Sequence, residues 1–139
     1  IRGETKNEIA DIMLNDELAT RQTEDENEQK SSVPSTVKVI RQAPVLILVL
    51  KEYDNNWTIG DALSIGGAIE HICLRATDMG LGSLWIRGTV YTQKEIAKLV
   101  GEEEKEVISA ISIGYPAQEP KPRPRKPLEE ILKWYGKYN

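Results

Sequence analysis

Between residues 58 and 79 lies a helical stretch whose apolar side chains do not keep to one side of the axis. Ala62, Gly66, Ile69, Cys73 and Ala76 recur at helical spacing and make one stripe, while Leu63, Ile65, Ile72, Leu74 and Met79 occupy much of the remaining surface. Water is a poor neighbour for both sets, so the pattern predicts a helix buried on two faces. Thr58 with Asp61 starts it in the manner of a capping box, and Gly80 stops it. At its middle, Gly66, Gly67 and Ala68 remove side-chain bulk. That costs up to about 1 kcal/mol of helix propensity per glycine and predicts a close neighbour there.

The rest of the chain supplies the elements that can cover this helix. Residues 4–19 place Ile9, Ile12, Met13 and Leu18 near helical spacing among acidic side chains, the mark of an amphipathic helix. Residues 20–32, TRQTEDENEQKSS, hold no hydrophobic side chain and read as a mobile acidic surface loop. Ser35 is placed to cap a short helix through Gln42, which Ala43-Pro44 ends. The unbroken apolar run at 45–50 predicts a central strand covered on both faces, followed by turn-forming residues at 53–57. A second strand is expected over 83–87, and Thr92 with Glu95 forms a capping box for a helix that stops at Gly101. Val107, Ile108, Ile111 and Ile113 mark a third strand, closed by Gly114-Tyr115-Pro116, and a short helix is expected from Pro127. Helices alternating with strands, and no internal repeat, predict a sheet covered by helices in a single domain over 1–139, α/β or α+β.

Composition excludes several classes of function. With 139 residues, 40% hydrophobic and 29% charged, the chain can bury one core without disulfides or a structural metal. Its 18 basic and 22 acidic side chains leave a net charge of −4, which argues against a general nucleic-acid binder. No apolar run approaches the ~20 residues that cross a bilayer, so no membrane span is expected. One cysteine, Cys73, and one histidine, His71, leave no material for a disulfide framework or a Cys-rich zinc site, and suit a reducing cytoplasmic setting.

Local motifs carry little chemistry on their own. Ala62-Leu63-Ser64-Ile65-Gly66 imitates a nucleophile elbow, but no strand precedes it, and His71 lies about 10 Å further along the helix axis. His71 and Cys73, two residues apart, point to nearly opposite sides and cannot form a thiol dyad. Gly80-Leu81-Gly82 has Trp85 where a dinucleotide fingerprint needs its third glycine, and it runs from helix to strand. No catalytic side chain and no metal ligand set is expected. Lys121, Arg123, Arg125 and Lys126, interleaved with Pro122, Pro124 and Pro127, read either as a solvated tail or as a stiffened grip for a phosphate.

The ordered set is more specific than any of its members. Ala43-Pro44-Val45-Leu46-Ile47, Asp61 leading into the small-residue-rich helix, Met79-Gly80-Leu81-Gly82-Ser83-Leu84-Trp85-Ile86, Ile113-Gly114-Tyr115-Pro116 and Lys121-Pro122-Arg123-Pro124-Arg125-Lys126-Pro127-Leu128-Glu129-Glu130 together resemble the nitroreductase family of flavoproteins. The resemblance implies an α+β three-layer fold with a central, mainly antiparallel sheet flanked by helices. It implies a cytoplasmic homodimer with FMN at the subunit interface and no nucleic-acid or membrane partner. Electrons from NADH or NADPH would pass as hydride through the flavin to nitroaromatics, quinones or similar small-molecule acceptors. It places Trp85-Ile86-Arg87-Gly88 beside the isoalloxazine ring, with the Gly88 N–H as donor to the flavin N5, and assigns Arg123 and Arg125 to the FMN phosphate. It also explains the two apolar faces of the long helix, one for its own sheet and one for a partner subunit.

Two early motifs of that family are absent: the basic Arg-Arg-Ser-x-Arg and the ring-contacting Pro-Ser-x-x-Asn-x-Gln. Val33-Pro34-Ser35-Thr36 contains a Pro-Ser pair, but no Asn and Gln follow at the right places. With Ile1 in place of an initiating Met, the expectation is the later part of a nitroreductase domain, incomplete at its N-terminus. The alternative is a non-catalytic flavin-binding or interaction module of the same fold.

Overall fold

The computed structural model describes residues 1–16, 32–52 and 59–136. In chain order these form α1 (Glu4–Asn15), α2 (Val33–Gln42), β1 (Val45–Glu52), α3 (Ile59–Asp78), β2 (Gly82–Ile86), a 3₁₀ turn (Gly88–Thr92), α4 (Gln93–Leu99), β3 (Lys105–Gly114) and a short α5 (Leu128–Ile131). Strand β3 pairs antiparallel with both other strands, so the order among the described residues is β1-β3-β2. The acidic stretch expected over 20–32 lies outside the described residues except for Ser32, as do the expected turn at 53–57 and the capping residue Thr58.

Alternation of side chains sorts the helices into layers. Ile86 of β2 packs in the main core with Leu46, Val107 and Ala110 of the sheet, with Ile9 and Met13 of α1, Val37 and Ile40 of α2, and Ile96 of α4. Trp85, one residue earlier, faces the opposite side. There its ring meets α3, where a Cβ added to Gly66 would stand 3.8 Å from the far edge of the indole. The close neighbour predicted for the glycine-rich middle of the long helix is therefore Trp85. The fold is α+β in three layers: α3, an antiparallel sheet, then α1, α2 and α4.

Several sequence expectations are corrected. Among the described residues the apolar run at 45–50 forms an edge strand of the sheet, and the central strand is β3. An unbroken apolar run reports cover on the faces of a strand and says nothing of how its edges are paired. At the outer edge of β1, Ile1 and Leu46 exchange backbone hydrogen bonds, 3.0 Å from the Leu46 N–H to the Ile1 carbonyl and 2.8 Å from the Ile1 amine to the Leu46 carbonyl. Helix α3 buries Ile69 and Ala76, whereas Leu63 is 72% and Leu74 58% exposed, so among the described residues of the single chain only one of the two expected faces is covered. Helix α2 starts at Val33, and Ser35 sits inside it, donating to the Ser32 carbonyl at 2.8 Å. The Thr92 cap does not form, because the 3₁₀ turn runs directly into α4 and leaves the Thr92 hydroxyl buried with no hydrogen-bond partner among the described residues. Strand β2 ends at Ile86, so Arg87 belongs to the turn. The expected stop at Gly80 is present: its φ is 73°, and the Leu81 N–H reaches back to the Ala76 carbonyl at 2.8 Å.

Two contacts explain residues that the sequence left unassigned. Gly114 is pressed against Pro44, where a Cβ would stand 2.6 Å from the proline ring, so the end of β3 and the entry to β1 require a residue without a side chain. Lys6 is buried, and its ammonium donates to the carbonyls of Ile40 (2.7 Å), Arg41 (2.7 Å) and Ala43 (2.6 Å) at the C-terminal end of α2. Burial pushes this amine below the usual lysine range, while the carbonyls take up all its N–H donors and the negative end of the helix dipole favours the cation. Lys6→Met is expected to destabilise the chain by about 2 kcal/mol, the cost of leaving carbonyls unpaired where a charged donor stood. A lower urea midpoint with an unchanged slope is the readout.

Candidate functional site

The segment that the sequence singles out, Trp85-Ile86-Arg87-Gly88, is where β2 ends and the 3₁₀ turn begins. Ile86 is anchored in the core and 2% exposed. Trp85, 46% exposed, donates from Nε1 to the hydroxyl of Ser109 at 2.8 Å, and that hydroxyl donates in turn to the Ile86 carbonyl at 2.8 Å. The Arg87 carbonyl accepts from the Val90 N–H at 3.1 Å and closes the turn. Arg87 itself is exposed.

Gly88 is the first residue of the 3₁₀ turn. Its N–H therefore lies outside the turn's own hydrogen bonding, as at any helix start. Its α-carbon is tightly enclosed: a Cβ would stand 3.3 Å from Met13 Cε and 3.6 Å from Val33 Cγ2. The Gly88 N–H, outside the turn's own bonding, thus sits at a position closed in by Met13 of α1 and Val33 of α2.

The basic pair is arranged differently. From residue 115 to 136 every residue is exposed, and Arg123 and Arg125 lie within this arm. Arg125 Nη1 donates at 3.5 Å to the neighbouring Pro124 carbonyl. The arm leaves β3 at Gly114, paired with Gly82 at the start of β2, whereas Gly88 lies six residues further along the chain, about 20 Å if extended. The structure brings Trp85, Ile86, Arg87 and Gly88 together as one continuous turn and leaves Arg123 and Arg125 out on the arm.

Ser109 went unnoticed in the sequence, hidden among the aliphatic residues of β3. Its signal is the period of the strand: Ser109 shares a face with Ile111 and Ile113, and Ile111 is the register partner of Trp85. An open apolar hollow of about 360 Å³, lined in part by His71, Met79, Leu81 and Ile113, lies near the arm end of the sheet, away from Gly88. Among the described residues no group of three or more His, Cys, Asp or Glu could hold a metal ion. None of their helices is long and apolar enough to cross a membrane.

Comparison with known proteins follows the same lines. The model of the Nitroreductase family matches residues 1–115, so the basic arm lies almost wholly beyond the match. A curated relative, the candidate NAD(P)H nitroreductase YfhC of Bacillus subtilis (strain 168), is 27% identical over 92 residues, which cover 64% of this chain and 47% of the relative. The matched part thus spans about half the length of that protein. Among solved structures, the FMN- and NADPH-dependent nitroreductase NfnB of Sphigopyxis sp. strain HMH superposes with a TM-score of 0.72 at 15% identity, over 98% of this chain and 78% of its own. A candidate nitroreductase of Desulfovibrio desulfuricans, solved in complex with FMN, gives 0.67 at 21% identity, over 95% and 68%. At such identities the likeness establishes the fold.

The enclosure of Gly88 is open to a direct check. Gly88→Val should destabilise the chain by about 1–3 kcal/mol through overpacking against Met13 and Val33. Met13→Ala added to it should recover part of that loss, a non-additivity measurable as a double-mutant cycle in urea.

Proposed function

The chain belongs to the nitroreductase family, and from that premise we propose that it is an FMN-dependent oxidoreductase working as a homodimer. FMN, when bound, would supply the redox chemistry, hydride transfer from NADH or NADPH to an electron-poor acceptor such as a nitroaromatic or a quinone. The protein's part is to hold and orient. The carrying observation is Gly88, a backbone donor outside the hydrogen bonding of its own turn, at a position where Met13 of α1 and Val33 of α2 close tightly on its α-carbon. Such a donor suits the flavin N5, and the exposed edge of Trp85 and the backbone of Ile86 and Arg87 are available to run beside the ring. The ring end of the cofactor therefore fits these residues.

The phosphate end calls for cations, and Arg123 and Arg125 are the candidates. Their prolines, Pro122 and Pro124, limit the freedom lost when guanidinium groups close on a phosphate. The homodimer is supported by what the single chain leaves open. Leu63 and Leu74, eleven residues apart and nearly in line on α3, are exposed, and the arm carries Tyr115, Leu128, Ile131 and Trp134, also exposed. A second copy that covers α3 would bury the second face its sequence calls for.

Incubation with FMN followed by desalting should leave a flavin band near one per chain. Arg123→Ala combined with Arg125→Ala should weaken FMN binding at least tenfold, as expected for loss of charge-assisted phosphate contacts, with no change in the urea midpoint. An unaltered affinity would remove the two arginines from the site. Leu63→Asp with Leu74→Asp should shift the light-scattering mass from dimer to monomer. Retention of FMN without NADH or NADPH oxidation in the presence of a quinone would assign the chain to a flavin-binding module without turnover.

A further inference from the structure

We propose that Ser109 is a positioning residue for the flavin-facing turn: its hydroxyl sets the direction in which the Gly88 N–H points. The inference rests on the flavin reading above and goes beyond it to a residue on a different strand. Ser109 is 3% exposed and lies on β3 beside Ala110, the register partner of Ile86. Strand pairing between β2 and β3 stops at that partner. Where the ladder ends, the Ser109 hydroxyl takes over, donating to the Ile86 carbonyl at 2.8 Å and accepting the indole N–H of Trp85 at 2.8 Å. One hydroxyl thus uses its single hydrogen and a lone pair on two neighbouring residues of the same segment.

The geometric consequence follows from the planarity of the peptide unit. The Gly88 N–H belongs to the peptide whose carbonyl is that of Arg87, and this carbonyl is held by the Val90 N–H at 3.1 Å. The peptide before it carries the Ile86 carbonyl, held by Ser109. Two successive planes are therefore pinned, and the N–H at Gly88 points opposite to the Arg87 carbonyl. Without the hydroxyl, the plane between Ile86 and Arg87 loses its partner and can rotate, carrying the turn with it. The Trp85 ring, packed against Gly66 of α3, loses the acceptor of its indole N–H as well. A buried serine bonded to the last two residues of β2, immediately before the turn, is thus coupled to the aim of the Gly88 N–H.

The test uses the full chain and compares wild type with Ser109→Ala, Ser109→Thr and Ser109→Cys. FMN affinity is read from quenching of flavin fluorescence, the environment of bound flavin from its visible band, and folding from the urea midpoint. Ser109→Ala should weaken FMN binding about tenfold, in keeping with the loss of two hydrogen bonds, and move the visible band toward that of free FMN. Ser109→Thr, which keeps a hydroxyl on a strand position, should recover most of both. A lower urea midpoint with unchanged affinity and band would show a purely structural serine and overturn the proposal. If the alanine variant does not fold, Ser109→Cys decides: it keeps the volume of the side chain and replaces the hydroxyl with a weak thiol donor, and a severalfold loss of affinity supports the proposal while an unchanged affinity overturns it. Failure of the folded wild type to bind FMN overturns the flavin reading and the role of Ser109 with it, an outcome distinct from failure of the variants alone.

Discussion

Strand β3 is paired along both edges, and from residue 107 to 112 all but Ile108 are buried. Both layers of helices are organised around the sheet it centres. On one side Val107 and Ala110 meet residues of α1, α2 and α4; on the other Ile111 lies under Trp85, which α3 covers through Gly66. Because successive side chains of a strand alternate between faces, a single residue of slippage in β3 would exchange the two layers. The bulge opposite Val49 and Leu50 is the place where that register is adjusted against β1.

From this frame the candidate site follows. The pairing of Ile86 with Ala110 fixes where β2 ends, and Ser109 holds the carbonyl of that last strand residue. Gly88 then enters the 3₁₀ turn tightly packed by Met13 of α1 and Val33 of α2. Those two residues flank the stretch 17–31 in the chain, so the turn that bears the donor is packed by the ends of the two helices that this stretch connects. A family fold in which the protein orients a cofactor and leaves the electron chemistry to it needs this kind of rigidity in its backbone more than it needs an acid or a base.

Much of the architecture was legible. Periodicity located α1, α3 and all three strands, because apolar spacing is dictated by burial and each of these elements buries a face. The glycines at 66 and 67 announced a close neighbour, and Trp85 is that neighbour for Gly66. The capping signals were less reliable: Thr92 with Glu95 had the right spacing, yet the turn from Gly88 approaches α4 already helical, so the hydroxyl is turned inward. Ser35 offered a plausible cap but lies inside α2. Local hydrogen-bonding preferences compete with tertiary packing at helix ends, and packing prevailed at both. Lys6 could not have been found at all, since its partners lie more than thirty residues away in sequence.

The sequence by itself determined the order of the elements, the two apolar faces of the long helix, the motifs shared with the nitroreductases and the clustering of arginines among prolines. These are properties of spacing and composition, written along the chain. Tertiary structure decided that the strand at 45–50 is an edge among the described residues, that Leu63 and Leu74 of α3 are exposed in the single chain, that Arg123 and Arg125 sit on an exposed arm, and that a serine of β3 holds the last two residues of β2. Each of those depends on which distant segment comes to lie alongside, and pairing between distant segments is set by the packing of the whole domain, which no local pattern contains.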